Sequence, residues 1–314
     1  MASPVATSTG WSHPLRRVSD ALYRRRALAL LLLLAPPLLW FGVVYLGSLL
    51  ALLWQSGDTF DDFTMAVTTE RTWANYRALL GAANLDVVLR TLGMASAVTL
   101  ASAVLAFPVA YYMARCATGS LKGFLYVAVM LPMWASYIVK AYGWTVILAK
   151  GGVIYWFAGK VGLRGALDGL LTWPVVGGSS LSTSTLGRFL VFTYIWLPYM
   201  ILPTQAAIER VPRNLLQASA DLGARPGQTF KNVLLPLAFP GVVAGSIFTF
   251  SLTLGDYIIP QLVGPPGLFI GTMVYTLQGS VGNVPMAAAF TAVPIAIIAL
   301  YLALARRLGA FDAL

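Results

Sequence analysis

The sequence predicts an all-α integral membrane protein with about six transmembrane helices. Three observations carry that expectation. Hydrophobic residues make up 58% of the 314-residue chain and charged residues only 10%, a balance foreign to an ordinary water-soluble domain. The apolar residues are gathered into runs close to or above the ~20 needed to cross a bilayer. Arginine and lysine are concentrated in one alternating set of connections between those runs, as the positive-inside rule describes.

Residues 1–26 form a basic tail with Arg16, Arg17, Arg24, Arg25 and Arg26, read as cytoplasmic. The first span covers 27–54. A basic stretch before an apolar one also describes a signal peptide, but a signal h-region is only ~7–15 residues long and no small-x-small cleavage site follows, so the span is read as retained. Pro36-Pro37 inside it demands a kink, or a break supported by neighbouring helices. Residues 55–86 form an extracytoplasmic segment with Asp58, Asp61, Asp62, Glu70 and Asp86, either a docking surface or simply solvated.

The core transmembrane domain, 87–306, starts with a second span from about Arg90 to Met113. A turn with Arg115 and Lys122 leads to a third span over 123–148, which holds Lys140. Residues 150–188 form a long connection with Gly151-Gly152, Gly177-Gly178 and an SSLSTST run at 179–185. Its piece from Val153 to Phe157 is too short to span and suits a re-entrant or interfacial helix. The fourth span covers 189–208, the fifth 233–259 and the sixth 286–304. Between the last two lies an uncharged loop with the turn signal Gly264-Pro265-Pro266-Gly267. Residues 307–314 are a second cytoplasmic tail.

With the N-terminus inside, Arg115, Lys122, Arg210, Arg213, Arg225, Lys231, Arg306 and Arg307 join the tail in the cytoplasm. Arg71, Arg77, Arg90, Lys150, Lys160, Arg164 and Arg188 are spread over longer outer segments. The net charge of +10 is therefore a topology signal rather than a nucleic-acid patch, and no nucleic-acid partner is expected.

Between the fourth and fifth spans, 209–232 is a polar, helix-forming island whose sequence runs RNLLQASADLGARPGQTFKNVLLP over 213–236. Pro212 suits a helix start and Gly223 a left-handed stop. Leu215, Ser219 and Leu222 recur at helical spacing, with Leu216 beside them. Pro226 opens a second short helix with Phe230, Val233 and Leu234 along one side. Ala218, Ser219 and Ala220 are small enough for another backbone to approach. Two short helices hinged at a glycine make a knob suited to docking; the alternative is an ordinary amphipathic loop.

The chain has a single cysteine, Cys116, and a single histidine, His13, which excludes an internal disulfide framework and a Cys-rich metal site and leaves no catalytic or metal-binding cluster to predict. No G-x-x-x-x-G-K-[ST] loop occurs, so any ATP hydrolysis belongs to another subunit. A stand-alone secondary transporter would favour inverted repeats and more buried ionisable groups. Lys140 and Asp256 are the charges placed deepest in apolar sequence. At a helix centre each costs about 2.5–3.5 kcal/mol, so they face a cavity, pair with each other or snorkel. Asp256 can attract a cationic amine, with Tyr257 or Trp144 adding cation–π attraction. Lys140, Trp144, Asp256 and Tyr257 are the candidate solute-contact residues, against the alternative of a structural pair or an interfacial charge. Prolines 36, 37, 108, 132, 198, 203, 240 and 294 mark an irregular bundle.

The island resembles the cytoplasmic EAA motif of the permease subunits of bacterial ABC importers (the MetI-like transmembrane domain). It reads Gln217-Ala218-Ser219-Ala220-Asp221-Leu222-Gly223 and closes on Leu235-Pro236. Gln217 stands for the motif's glutamate and Ser219 for its second alanine. LLLLLAPPLLWFGVVYLGSLLALLWQS (30–56), TWANYRALL (72–80), LRTLGMASAVTLASAVLAFPVAYYMAR (89–115), LPMWASYIVKAYGW (131–144) and LGDYIIPQLVG (254–264) resemble the spermidine/putrescine branch over nearly the whole chain. The resemblance implies the type I importer permease fold in a bacterial inner membrane. It implies import of spermidine or putrescine, with other cations, sugars or organic acids as alternatives. It implies a second permease in a heterodimer, two ATPase subunits that hold the ATP and magnesium, and an extracytoplasmic substrate-binding protein. It gives this chain no cofactor, and it makes Gln217, Ala218, Ser219, Ala220, Asp221, Gly223, Leu235 and Pro236 the contact to the ATPase.

Overall fold

The computed structural model describes residues 26–307, so the two expected tails, with His13, fall outside it apart from Arg26 and Arg307. The chain divides into two units, Met1–Gln55 and Ser56–Leu314. The first is one apolar rod made of α1 (Arg26–Leu39), a π-helical stretch (Trp40–Leu46) and α2 (Gly47–Gln55). Pro36 and Pro37 have no N–H to donate, which would break a helix that had to keep strict spacing. Here the helix runs through them, and a widened turn follows in which the Gly47 N–H reaches back to the Gly42 carbonyl.

The second unit opens on an element absent from the sequence reading. It is a small antiparallel hairpin of β1 (Thr59–Asp61) and β2 (Ala66–Thr68), with Phe60 opposite Val67. Its turn is built by Asp61, whose carboxylate accepts from the Phe63 N–H and the Thr64 hydroxyl at 2.9 Å each. Those two donors hold the Asp61 carboxyl below its ordinary range.

After α3 (Ala74–Leu79), α4 (Ala82–Tyr111) continues through a π-helical turn to Cys116. It starts earlier than expected because Gly81, in extended conformation, ends the preceding helix and frees the chain to begin again. The expected third span, 123–148, is bent. It is two helices, α5 (Gly119–Trp134) and α6 (Tyr137–Leu148), broken at Ala135-Ser136, with the path bent by 95°. Ala135 is extended and Ser136 is not helical, so the Pro132 carbonyl loses its helical donor. The Lys140 ammonium takes that carbonyl at 2.8 Å. The piece expected to be interfacial is α7 (Val153–Val161), followed by α8 (Arg164–Leu171).

The remaining elements are α9 (Thr185–Arg210), α10 (Arg213–Asp221), α11 (Pro226–Thr229) and α12 (Leu235–Leu254), then α13 (Ile258–Leu262), α14 (Ile270–Thr276) and α15 (Val284–Arg307). Among the described residues five helices are long and apolar enough to span a bilayer, or six when the bent pair counts as one. The loop expected at 261–285 thus contains a helix, α14, whose first N–H groups are held by Thr272 and by Thr91 of α4.

Helix α9 lies at the centre, packed on α4 and α12. Small residues allow the close approach. A Cβ at Gly241 would sit 2.7 Å from the Pro203 carbonyl, and one at Gly245 would sit 2.9 Å from the Met200 sulfur. This G-x-x-x-G spacing gives the backbone contact that substitutes for a hydrophobic driving force in lipid. Several buried hydroxyls are satisfied within their own helices, as when Thr91 donates to the Val87 carbonyl and Thr253 to that of Thr249, both at 2.7 Å. Arg188, expected as an outer-loop charge, lies in the first turn of α9 and is only 2% exposed. Its guanidinium donates to the carbonyls of Val263 (2.8 Å) and Pro265 (2.7 Å), which explains a buried cation: the loop supplies the dipoles that water would have supplied.

Candidate functional site

The polar island folds as two short helices with a hinge. Helix α10 ends at Asp221, Gly223 takes φ +79°, and Pro226 opens α11 in the first helical position. The turn is held by the Gly223 N–H on the Ala220 carbonyl (2.9 Å) and the Ala224 N–H on that of Ser219 (3.1 Å). The Ser219 and Thr229 hydroxyls, 2.9 Å apart, lock the two helices together.

The expected apolar face is divided. Leu216 packs inward among the residues around Ile208 and Leu234, and Ser219 serves the lock rather than a docking face. Leu215 is 42% and Leu222 89% exposed, and α10 has no buried residue. Gln217, Ala218, Ala220 and Asp221 are exposed beside them. Leu235 is half-buried and Pro236 exposed at the head of α12. Phe230 meets the ring of Phe107 edge-on at 5.4 Å, which seats the second short helix on α4. An outward Leu222 on a turn fixed by a left-handed glycine is a contact surface without a partner among the described residues.

Behind the knob, two interactions join its root to the bundle. The Arg115 guanidinium, at the end of α4, donates to the carbonyls of Ile208, in the last turn of α9, and of Val211, the residue that ends it. Lys122 of α5 forms an ion pair with Glu209.

The charged residues expected in the solute path do not pair with each other. Lys140 caps the break in the third span. Asp256 receives the Tyr137 hydroxyl, and its other oxygen accepts the N–H of Ile258 at 2.8 Å, opening α13. Tyr137 stacks on Trp196 at 5.7 Å, and Trp196 meets Tyr199 at 5.8 Å. The indole N–H of Trp196 is buried with no partner among the described residues. The aromatic residues expected beside Asp256 stand in other pairs: Trp144 with Tyr194 at 4.9 Å and Tyr257 with Tyr275 at 5.0 Å. Tyr137, Trp196 and Tyr199 were missed because the bend that brings Tyr137 to Asp256 leaves no mark in hydrophobic periodicity. Among the described residues no group of three His, Cys, Asp or Glu side chains is placed to hold a metal.

The model of the binding-protein-dependent transport system inner membrane component family matches residues 102–311, two thirds of the chain, including the knob and Asp256. The chain belongs to that family. This permease is 68% identical over 300 residues to the inner membrane ABC transporter permease protein YdcU of Escherichia coli K12, covering 96% of each chain. It is 29% identical over 219 residues to the spermidine/putrescine transport system permease protein PotB of the same organism, covering 69% of this chain and 75% of that one. Its fold is that of a bacterial alginate ABC transporter solved with an alginate-pentasaccharide-bound periplasmic protein, at a TM-score of 0.67 and 15% identity over 95% of this chain and 98% of the other. The permease is thus the membrane component of an ABC importer, a non-catalytic, multi-pass inner-membrane subunit.

Proposed function

We propose that this permease forms half of the translocation pathway for a polyamine of the spermidine or putrescine kind. Asp256 is the observation that carries the reading. It is a half-buried carboxylate held by a phenol and a backbone N–H rather than by a cation, with a wall of Tyr137, Trp196 and Tyr199 nearby. A carboxylate next to aromatic faces attracts an organic ammonium by charge and by cation–π contact. The similarity to PotB, a spermidine/putrescine permease, points the same way. The fold alone does not choose a solute, since it also serves an acidic polysaccharide in the alginate transporter.

The motor is a separate ATPase pair that hydrolyses ATP and presses on the knob through Gln217, Ala218, Ala220, Leu222 and Gly223. A second permease completes the pathway, and an extracytoplasmic binding protein delivers the solute. The N-terminus and the knob face the cytoplasm, where the basic residues of the short connections are concentrated.

Uptake of labelled spermidine and putrescine into proteoliposomes holding the assembled importer tests the solute. Asp256→Asn is expected to lower uptake by about tenfold or more, roughly the effect of removing one partner from a buried charged contact. Wild-type uptake by a fully assembled Asp256→Asn importer overturns the polyamine reading.

A further inference from the structure

At the end of the bundle away from the knob, a cleft of about 480 Å³ opens between the N-terminal half of α4, the first turns of α9 and the turn at 264–267. Met94 and Ala97 of α4 and Leu186 and Phe189 of α9 give it apolar walls, and its charged lining residues are Arg90 and Arg188. Two guanidiniums share one small apolar space. Arg90 is ion-paired with Asp86 on an exposed face of α4. Arg188 lies 4.6 Å above the Phe269 ring and is neutralised by no carboxylate in any ion pair among the described residues. The lining keeps a net positive charge.

The turn is shaped around these cations. A Cβ at Gly264 would come 2.6 Å from the Arg188 guanidinium, and one at Gly267 would run into Arg90. Anchoring the loop to α9 requires Arg188 alone. It does not require a second arginine lining the same cleft, and like charges repel even where one of them is partly exposed and ion-paired. An anion between them removes that repulsion. Gly93 and Ala97, on the cleft side of α4, are exposed along a membrane span, so the cleft adjoins the apolar phase.

We infer that this cleft binds the phosphodiester of an anionic membrane lipid between Arg90 and Arg188, with an acyl chain along Met94, Ala97, Leu186 and Phe189. The site is separate from Asp256, since its charge repels a polyamine. It bridges α4, α9 and the loop that leads to α14.

The assembled importer is purified in detergent containing equal amounts of phosphatidylglycerol and phosphatidylcholine, and retained lipid is counted by native mass spectrometry. Wild type is expected to retain phosphatidylglycerol in preference to phosphatidylcholine. Arg90→Gln is expected to lower that retention about fivefold, the contribution of one basic residue to binding an anionic lipid. Ala97→Trp, which fills the cleft without changing charge, is expected to abolish it, and this variant decides the matter if Arg90→Gln does not assemble. Equal retention of the two lipids by wild type, or unchanged phosphatidylglycerol retention in both variants, overturns the inference. Inorganic phosphate that raises the melting temperature of wild type but not of Arg90→Gln, with no lipid retained, assigns the cleft to a free anion and equally overturns the lipid.

Discussion

Tyr137 and Lys140 lie one turn apart on α6 and do different work. The Tyr137 hydroxyl donates to Asp256, whereas the Lys140 ammonium replaces the donor that the Pro132 carbonyl loses at the break. Tyr137→Phe leaves the ring stacked on Trp196 but removes the donor, so the Asp256 carboxylate loses its side-chain hydrogen bond. Spermidine uptake is expected to fall several-fold with assembly unchanged, measured in the same proteoliposomes. Lys140→Met strips a charge-assisted hydrogen bond worth about 1.5–3 kcal/mol. A lower melting temperature with an unchanged KM for uptake is the expected outcome, since the lysine holds backbone rather than solute. The separation of these roles was not legible in the sequence, where both charges are interruptions of apolar runs. Asp256 was legible as an expensive group, but its partner lies more than a hundred residues away and across a bend that periodicity does not record.

At the scale of elements, the knob was the most readable part of the chain, because its punctuation is chemical. Pro226 sits at the first helical position, where its missing N–H costs nothing, and Gly223 takes the left-handed angle that a side chain resists. Gly223→Val puts a β-branched residue at φ +79°, about 1–2 kcal/mol of strain in a turn that few contacts hold. Loss of the co-purifying ATPase, with normal insertion of the permease, is the expected result. Leu222→Asp changes no internal packing, since the side chain is 89% exposed, and is expected to lower ATPase recovery in the same pull-down. The helix contacts were less readable. Gly241 and Gly245 carry a spacing that marks close packing in lipid, yet nothing in the spacing names α9 as the partner. With Met200 already 2.9 Å from the site of a Cβ, Gly245→Leu is expected to cost about 1–3 kcal/mol by overpacking, read as a lower melting temperature in detergent. Arg188 shows why charge counting has a limit. Sequence position placed it in an outer connection, but a guanidinium surrounded by loop carbonyls is buried without a counter-charge.

For the molecule as a whole, orientation is open to a direct measurement that the chain itself supplies. Its single cysteine, Cys116, is exposed at the end of α4, next to the Arg115 that binds the end of α9. A membrane-impermeant maleimide is expected to label Cys116 in inverted vesicles and to leave it unlabelled in intact spheroplasts; the opposite pattern places the knob outside the cell. On the proposed coupling, the Arg115 contact also sets how force would travel. Its guanidinium grips the carbonyls of Ile208 and Val211 at the end of α9, just before the chain enters α10, so α4 and α9 share a clasp at the root of the lever. A tug on the lever therefore cannot slide one rod along the other at that end; the pair must swing together, and any shearing has to be taken up where the clasp is absent.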